Sequence, residues 1–199
     1  MISPNEALEK LIEGNLRFAQ NKSIHPNLGN EWRNALLNKQ KPFAAVLSCS
    51  DSRVPVEIIF DVGIGDVFVI RTAGHVLSKE VLGSLEYAIN NLGVKLIMIM
   101  GHDNCGAVKS ALEIYSADKY HEFSENFQSL LGHIYPAFDE LDFENKENLL
   151  KEAVESNVNY QLCDLVKKDA YLAKKIDEKE IMLVGAIYRL GTGLIEVVK

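Results

Sequence analysis

Phe43-Ala44-Ala45-Val46-Leu47-Ser48-Cys49-Ser50-Asp51-Ser52-Arg53 and Leu96-Ile97-Met98-Ile99-Met100-Gly101-His102-Asp103-Asn104-Cys105 share one plan, an apolar run that stops at turn-forming and ligand-type residues. Runs bounded this way predict buried strands of a parallel sheet, and in open parallel sheets function gathers at the carboxyl ends of the strands. Both ligand-type stretches fall at such ends. If the chain leaves the first strand outward to a second, then returns to place the third on the other flank of the first, a crevice opens between strands one and three. Cys49 and His102 then face each other across it.

The two stretches together offer two thiols, an imidazole and a carboxylate, the ligand types of a tetrahedral zinc ion. His102 and Cys105 lie one helical turn apart, so a helix starting at the strand end puts both side chains on one face. A helix amino terminus also favours thiolate over thiol, as metal binding requires.

At this point the sequence resembles the β-class carbonic anhydrases. The pairing of C-x-D-S-R with H-x-x-C-G carries the likeness, and other stretches extend it almost end to end: Glu13-Gly14-Asn15-Leu16-Arg17-Phe18, Gln40 with Pro42, Arg71-Thr72-Ala73-Gly74, Ser84-Leu85-Glu86-Tyr87-Ala88 and Val184-Gly185-Ala186-Ile187-Tyr188. The resemblance implies zinc-dependent reversible hydration of carbon dioxide to bicarbonate and a proton. It also implies a homodimer, which can pair into tetramers, with the N-terminal arm reaching over a second subunit.

Zinc held by Cys49, His102 and Cys105 keeps one open position, where a water ionises near neutral pH and becomes a nucleophile. Arg53 can hold the Asp51 carboxylate in a two-pronged grip and orient it, so Asp51 and Arg53 are the expected catalytic pair. Should Asp51 swing onto the metal instead, the site closes in the manner of a structural zinc. Within the family both arrangements are known. Val46 and Ser48 stand where the reversibly closing subgroup carries tryptophan and glycine, whereas Gln40 matches the glutamine that the open subgroup uses on its substrate. An open site at neutral pH is therefore expected. Gln40, Ala73, Gly74 and Gly106 are the candidate substrate contacts, with Val54 and Phe60 as further wall. Thr72, His75 and Arg189 depart from the family pattern; His75 is a candidate proton shuttle, weighed against a packing role.

Length and composition set the bounds. The 199 residues, 47% hydrophobic, suffice for one domain over 1–199, with 1–40 as an N-terminal helical arm. A net charge of −7 and the lack of any basic run argue against nucleic acid or an anionic membrane as partner. No apolar stretch has the length of a membrane span and the start has no leader pattern, so a cytoplasmic protein is expected. Three cysteines, two of them assigned to metal, do not support a disulfide framework, and Cys163 is expected to be a small core or interface residue that stays reduced.

The expected fold is α/β: an open, mostly parallel sheet of four strands with an antiparallel edge strand and helices on both faces. Ser3-Pro4-Asn5-Glu6 reads as a capped helix start, running to about Ala19. A short helix over Glu31 to Asn38 follows, and His25 before it reads as a surface residue. Further helices are predicted over Lys79 to Leu92, Gly106 to Ser116, about Phe123 to Glu140, where His121 and His133 are ordinary residues, and Lys146 to about Lys167. Late strands are predicted at Ile181 to Tyr188 and Leu194 to Val198. Two other functions fit the same residues: hydrolysis of carbon disulfide or carbonyl sulfide, and a zinc-holding or redox-sensing module without turnover.

Overall fold

The computed structural model describes residues 2–144 and 147–198. Helix α1, Pro4–Ala19, begins at a complete capping box: the Ser3 hydroxyl accepts from the Glu6 amide while the Glu6 carboxylate accepts from the Ser3 amide. Then come α2 (Asn30–Ala35), β1 (Ala44–Cys49), α3 (Val56–Ile59), β2 (Val67–Thr72), α4 (Lys79–Leu92), β3 (Leu96–His102) and α5 (Gly106–Ser116). The second half holds α6 (Glu125–Gly132), α7 (Leu149–Lys168), α8 (Ala170–Asp177), β4 (Met182–Tyr188) and β5 (Ile195–Val198).

The five strands lie in the order β2-β1-β3-β4-β5. All neighbouring pairs are parallel except β4 with β5, which runs antiparallel at the edge. The chain thus crosses from β1 to β2 on one flank and returns to β3 on the other, the direction change that opens a crevice at their carboxyl ends. Every residue of β1 and β3 is buried, as strands covered on both faces must be.

Alternation along β1 divides the core. Ala44 and Val46 pack with Ala7 and Leu11 of α1 and Ile59 of α3, while Ala45 and Leu47 face Leu85 of α4, Leu165 of α7 and Leu172 of α8. The N-terminal helix therefore packs its Ala7–Leu11 stripe on its own chain. Gly14 makes this close approach possible, since a Cβ there would stand 1.8 Å from the Phe60 carbonyl oxygen. Asn15 adds polar ties: its side chain donates to the carbonyls of Ile59 and Gly193 and accepts from the Ile195 amide.

Two expectations are corrected. The helical region from Phe123 to Glu140 is broken into α6 and a 3-10 turn over Tyr135–Phe138. The long helix begins at Leu149, while its expected start, Lys146, lies outside the described residues. It is followed by α8, which the sequence reading did not separate: Asp169, in extended conformation, ends α7 and caps α8 by accepting from the Leu172 amide. Cys163, expected in the core or at an interface, is exposed on this chain and belongs to no core. The buried stripe of α7 runs through Val154, Val158, Gln161 and Leu165, and position 163 falls beside it. Among the described residues, no helix is long and apolar enough to cross a membrane.

Candidate metal centre

Cys49 is the last residue of β1, His102 the last of β3, and Cys105 the residue on which α5 begins. The ligand atoms of these three buried residues all lie within 4.8 Å of one another, with the sulfurs 3.8 Å apart. Asn104, at φ 50°, turns the chain tightly enough to bring Cys105 back beside His102.

The donor chemistry fits a thiophilic divalent ion. The His102 Nδ1 lies 2.9 Å from the Asp103 carbonyl oxygen, which can only accept, so Nδ1 carries the proton and Nε2 presents a lone pair. That Nε2 is buried without a hydrogen-bond partner, and zinc is the kind of partner that satisfies it. The sulfurs tell the same story. The Cys105 thiol, His102 and the amides of Asp51 and Gly74 pull the Cys49 thiol far down, whereas Cys49 and burial push Cys105 up despite the amides at the start of α5. The metal-free pair therefore holds one proton between its sulfurs, in the place a cation would take on binding both as thiolates.

Asp51 stands beside the triad without belonging to it. Its Oδ2 is 3.8 Å from His102 Nε2, but the carboxylate is taken up by Arg53: Nε to Oδ1 at 2.9 Å, Nη2 to Oδ2 at 2.8 Å, and the Arg53 amide to Oδ1 at 2.9 Å. The Arg53 guanidinium holds this carboxyl well below the usual range. Arg53 Nη2 also reaches the Asn104 carbonyl at 3.3 Å, so one side chain ties the two ligand loops together.

The other candidate residues separate by location. Ala73 and Gly74 form the turn after β2, and the Gly74 amide, with φ at 68°, donates to Cys49 Sγ at 3.4 Å. Gly106 opens α5, with nothing within 4 Å of where a Cβ would stand. Val54 and Phe60 are fully buried in the core. Gln40 is exposed ahead of β1, at the amino end of the strand whose carboxyl end carries Cys49, so the chain does not itself bring it to the triad. His75 is fully buried, its Nε2 bonded to Asn157 and its pKa pushed by burial down to about 4, which supports the packing role over proton shuttling.

Two arginines at the centre escaped the sequence reading as parts of the site. Arg71 donates from Nε to the Cys49 carbonyl at 3.0 Å and from Nη2 to the Asp51 carbonyl at 2.6 Å, clamping the ligand loop. Its sequence signals are its place at a strand end and its membership of the Arg71-Thr72-Ala73-Gly74 stretch, neither of which assigns it a partner. Arg189, noticed only as a departure, pairs with Asp103 at 2.8 Å. Thr72, the other departure, braces the Ala73–His75 turn through a bond from its hydroxyl to the Val76 carbonyl.

Residues 44–195 match the carbonic anhydrase family. A carbonic anhydrase of Mycolicibacterium smegmatis is 37% identical over 98% of this chain and 93% of its own length. Among solved structures, the β-carbonic anhydrase CcaA superposes with a TM-score of 0.75 at 26% identity, covering 96% of this chain and 95% of that one. One of two tetrameric β-carbonic anhydrases from Sordaria macrospora shares the fold, with a TM-score of 0.71 at 23% identity and coverage of 97% of each chain. The family match takes in all three ligands of the triad, and the likeness runs the length of the sequence: the chain belongs to the β-class carbonic anhydrases.

Proposed function

We propose that, in this carbonic anhydrase, Asp51 and Arg53 direct the attack on carbon dioxide beside a zinc ion held by Cys49, His102 and Cys105. The observation that carries this reading is the three-bonded grip of Arg53 on the Asp51 carboxylate next to an unpartnered His102 Nε2. When bound, zinc supplies the Lewis acidity that makes a water ionise near neutral pH, moderated by the negative charge of two thiolates. Everything else falls to the chain. With Oδ1 and Oδ2 both engaged by Arg53, Asp51 is kept off the metal, and its remaining lone pair on Oδ2 accepts the hydrogen of the attacking hydroxyl and aims the oxygen at substrate. Arg71 keeps the Cys49–Asp51 backbone from shifting under that load.

Carbon dioxide is small and apolar, so its place is the space beside Ala73, Gly74 and Gly106, with one polar group to orient an oxygen. Gln40 is the proposed source of that group, and its position at the far end of β1 supports its serving a second copy's site. The exposed apolar residues agree: Ile24 (65%), Leu28, Trp32, Leu37 (78%), Ile58 and Ile64 gather along 24–64, immediately before and beyond Gln40. Trp32 Nε1 donates to the Ile64 carbonyl, which holds the two segments side by side. A homodimer, able to pair further into a tetramer, covers this face. The acidic balance and free cysteines are those of a cytoplasmic enzyme acting on a small solute.

Stopped-flow hydration of carbon dioxide, run with a metal assay on the same sample, tests the reading. One zinc per chain with rapid hydration at neutral pH is expected. Activity appearing only as pH rises above about 8, with zinc retained throughout, would instead mean that Asp51 occupies the metal at neutral pH.

A further inference from the structure

Arg189 follows the last strand residue of β4 and is four-fifths buried, with its guanidinium shared among three carboxylates. Nη1 donates to Asp103 Oδ1 at 2.8 Å, Nε to Glu196 Oε2 at 2.8 Å, and Nη2 to Glu155 Oε1 at 3.3 Å and to Glu196. A buried guanidinium with this many partners is expensive to desolvate, and a surface strand end does not require one. What distinguishes the site is Asp103. Its amide donates to the Tyr188 carbonyl, its Oδ2 accepts from the Leu190 amide, and its carbonyl takes the Nδ1 proton of His102. The end of β4 thus grips, through Arg189 and its two neighbours, the residue that fixes the tautomer and ring angle of a metal ligand.

We propose that Arg189 is a positioning residue for the metal centre: by locking the Asp103 carboxylate it fixes the carbonyl that orients His102, and with it the loop that carries Cys105. Asp103 and Asn104 are all that separate the two ligands, and the loop is held from both flanks. Arg53 pins the Asn104 carbonyl on the β1 side, and Arg189 pins Asp103 on the β4 side. Outer-shell groups of this kind typically alter metal affinity by about 10- to 100-fold when removed.

The sign of the effect separates positioning from simple charge. A cation near the metal repels it, so loss of the Arg189 charge through the field alone would make zinc leave more slowly. Loss of a positioning contact makes it leave faster. Zinc-loaded protein is mixed with a chelating dye at neutral pH and the rate of zinc transfer followed, alongside the melting temperature of each variant. R189A is expected to release zinc about 10- to 100-fold faster than the unaltered chain. R189K, which keeps the charge and one contact, is expected to fall between. R17A removes a guanidinium pair of comparable closeness, Arg17 Nε to Asp61 Oδ2 at 2.6 Å, with no bond to either ligand loop, and is expected to lower the melting temperature without changing release.

Release from R189A at or below the unaltered rate overturns the proposal, as does an equal acceleration in R17A. Should R189A fail to fold, R189K decides: it keeps the charge, so the field alone predicts an unaltered rate, and only lost positioning makes release faster. The inference rests on zinc at the triad, and the two fail differently: an unaltered chain that holds no zinc defeats the metal reading, whereas one that holds zinc with R189A unchanged defeats only the role of Arg189.

Discussion

The Asp51–Arg53 pair divides the labour of the site from the labour of holding it together. Neither residue is in the triad, so Asp51→Asn and Arg53→Ala are expected to keep close to one zinc per chain. Both are expected to lose about 100-fold or more in kcat/KM, the scale on which a positioned acid–base group contributes. Arg53→Lys is expected to recover little, because an ammonium cannot make the two parallel bonds to Oδ1 and Oδ2. Stopped-flow rates beside metal content check all three, and a near-normal rate in Asp51→Asn would end the proposed mechanism. The cysteines behave oppositely: Cys49→Ala or Cys105→Ala removes a metal ligand, so zinc and activity should disappear together.

Among the elements, α1 shows how a polar anchor complements an apolar stripe. Asp61, with its side chain fully buried, accepts from Arg17 Nε at 2.6 Å and from the amides of Ile24 and His25, which fastens the end of the helix and the following segment to the turn after α3. Burial pushes this carboxyl up, but Arg17 and the two amides outweigh it and leave it below its ordinary value. The native state therefore gives up the proton more readily than the unfolded chain. Its stabilisation is complete above the unfolded carboxyl pKa of about 4 and is lost as pH falls through the lower native value. Asp61→Asn is expected to cost about 3 kcal/mol at neutral pH, by leaving Arg17 and two amides short of an acceptor, and to flatten the acid side of the stability profile. Urea titrations from pH 3 to 7 measure both. This tie was invisible in the sequence, whereas the helix it fastens was plain from Ser3, Pro4 and Glu6. The difference is physical. Caps, apolar runs and strand ends are local and leave a pattern, which is why β1, β3, the change of direction between them and the Cys49, His102 and Cys105 triad could all be read from residues. Contacts such as Arg17 with Asp61 or Arg189 with Asp103 join distant segments and leave none. The break between α7 and α8 was missed for a related reason: Asp169 looks like one more charged helix residue until its backbone is seen to be extended.

For the molecule as a whole, two proposals are open to direct test: that a metal completes the triad, and that a second copy completes the substrate site. Without zinc, two sulfurs 3.8 Å apart and a buried, unpartnered imidazole nitrogen sit at the junction of β1, β3 and α5, so chelation is expected to lower the melting temperature by at least about 5 °C, reversed by added zinc; differential scanning calorimetry reads this directly. Under the proposed function the second copy matters because Gln40 and Cys49 lie at opposite ends of one strand. If each site takes Gln40 from its partner, the defects Gln40→Ala and Asp51→Asn fall on different sites in a mixed dimer. The Gln40→Ala chain keeps its own Asp51 and receives an unaltered Gln40, while the other site carries both changes. Two weakly active variants, dissociated and reassociated together, should then regain about a quarter of full activity, since half the dimers are mixed and each has one intact site. Were Gln40 to serve its own chain, every site in the mixture would carry one defect and mixing would restore nothing. The same mixing experiment with Ile24→Asp and Leu37→Asp introduced into both chains should show no recovery and a monomeric mass by sedimentation, because the exposed face that brings Gln40 across would carry charge where it has to meet an apolar surface.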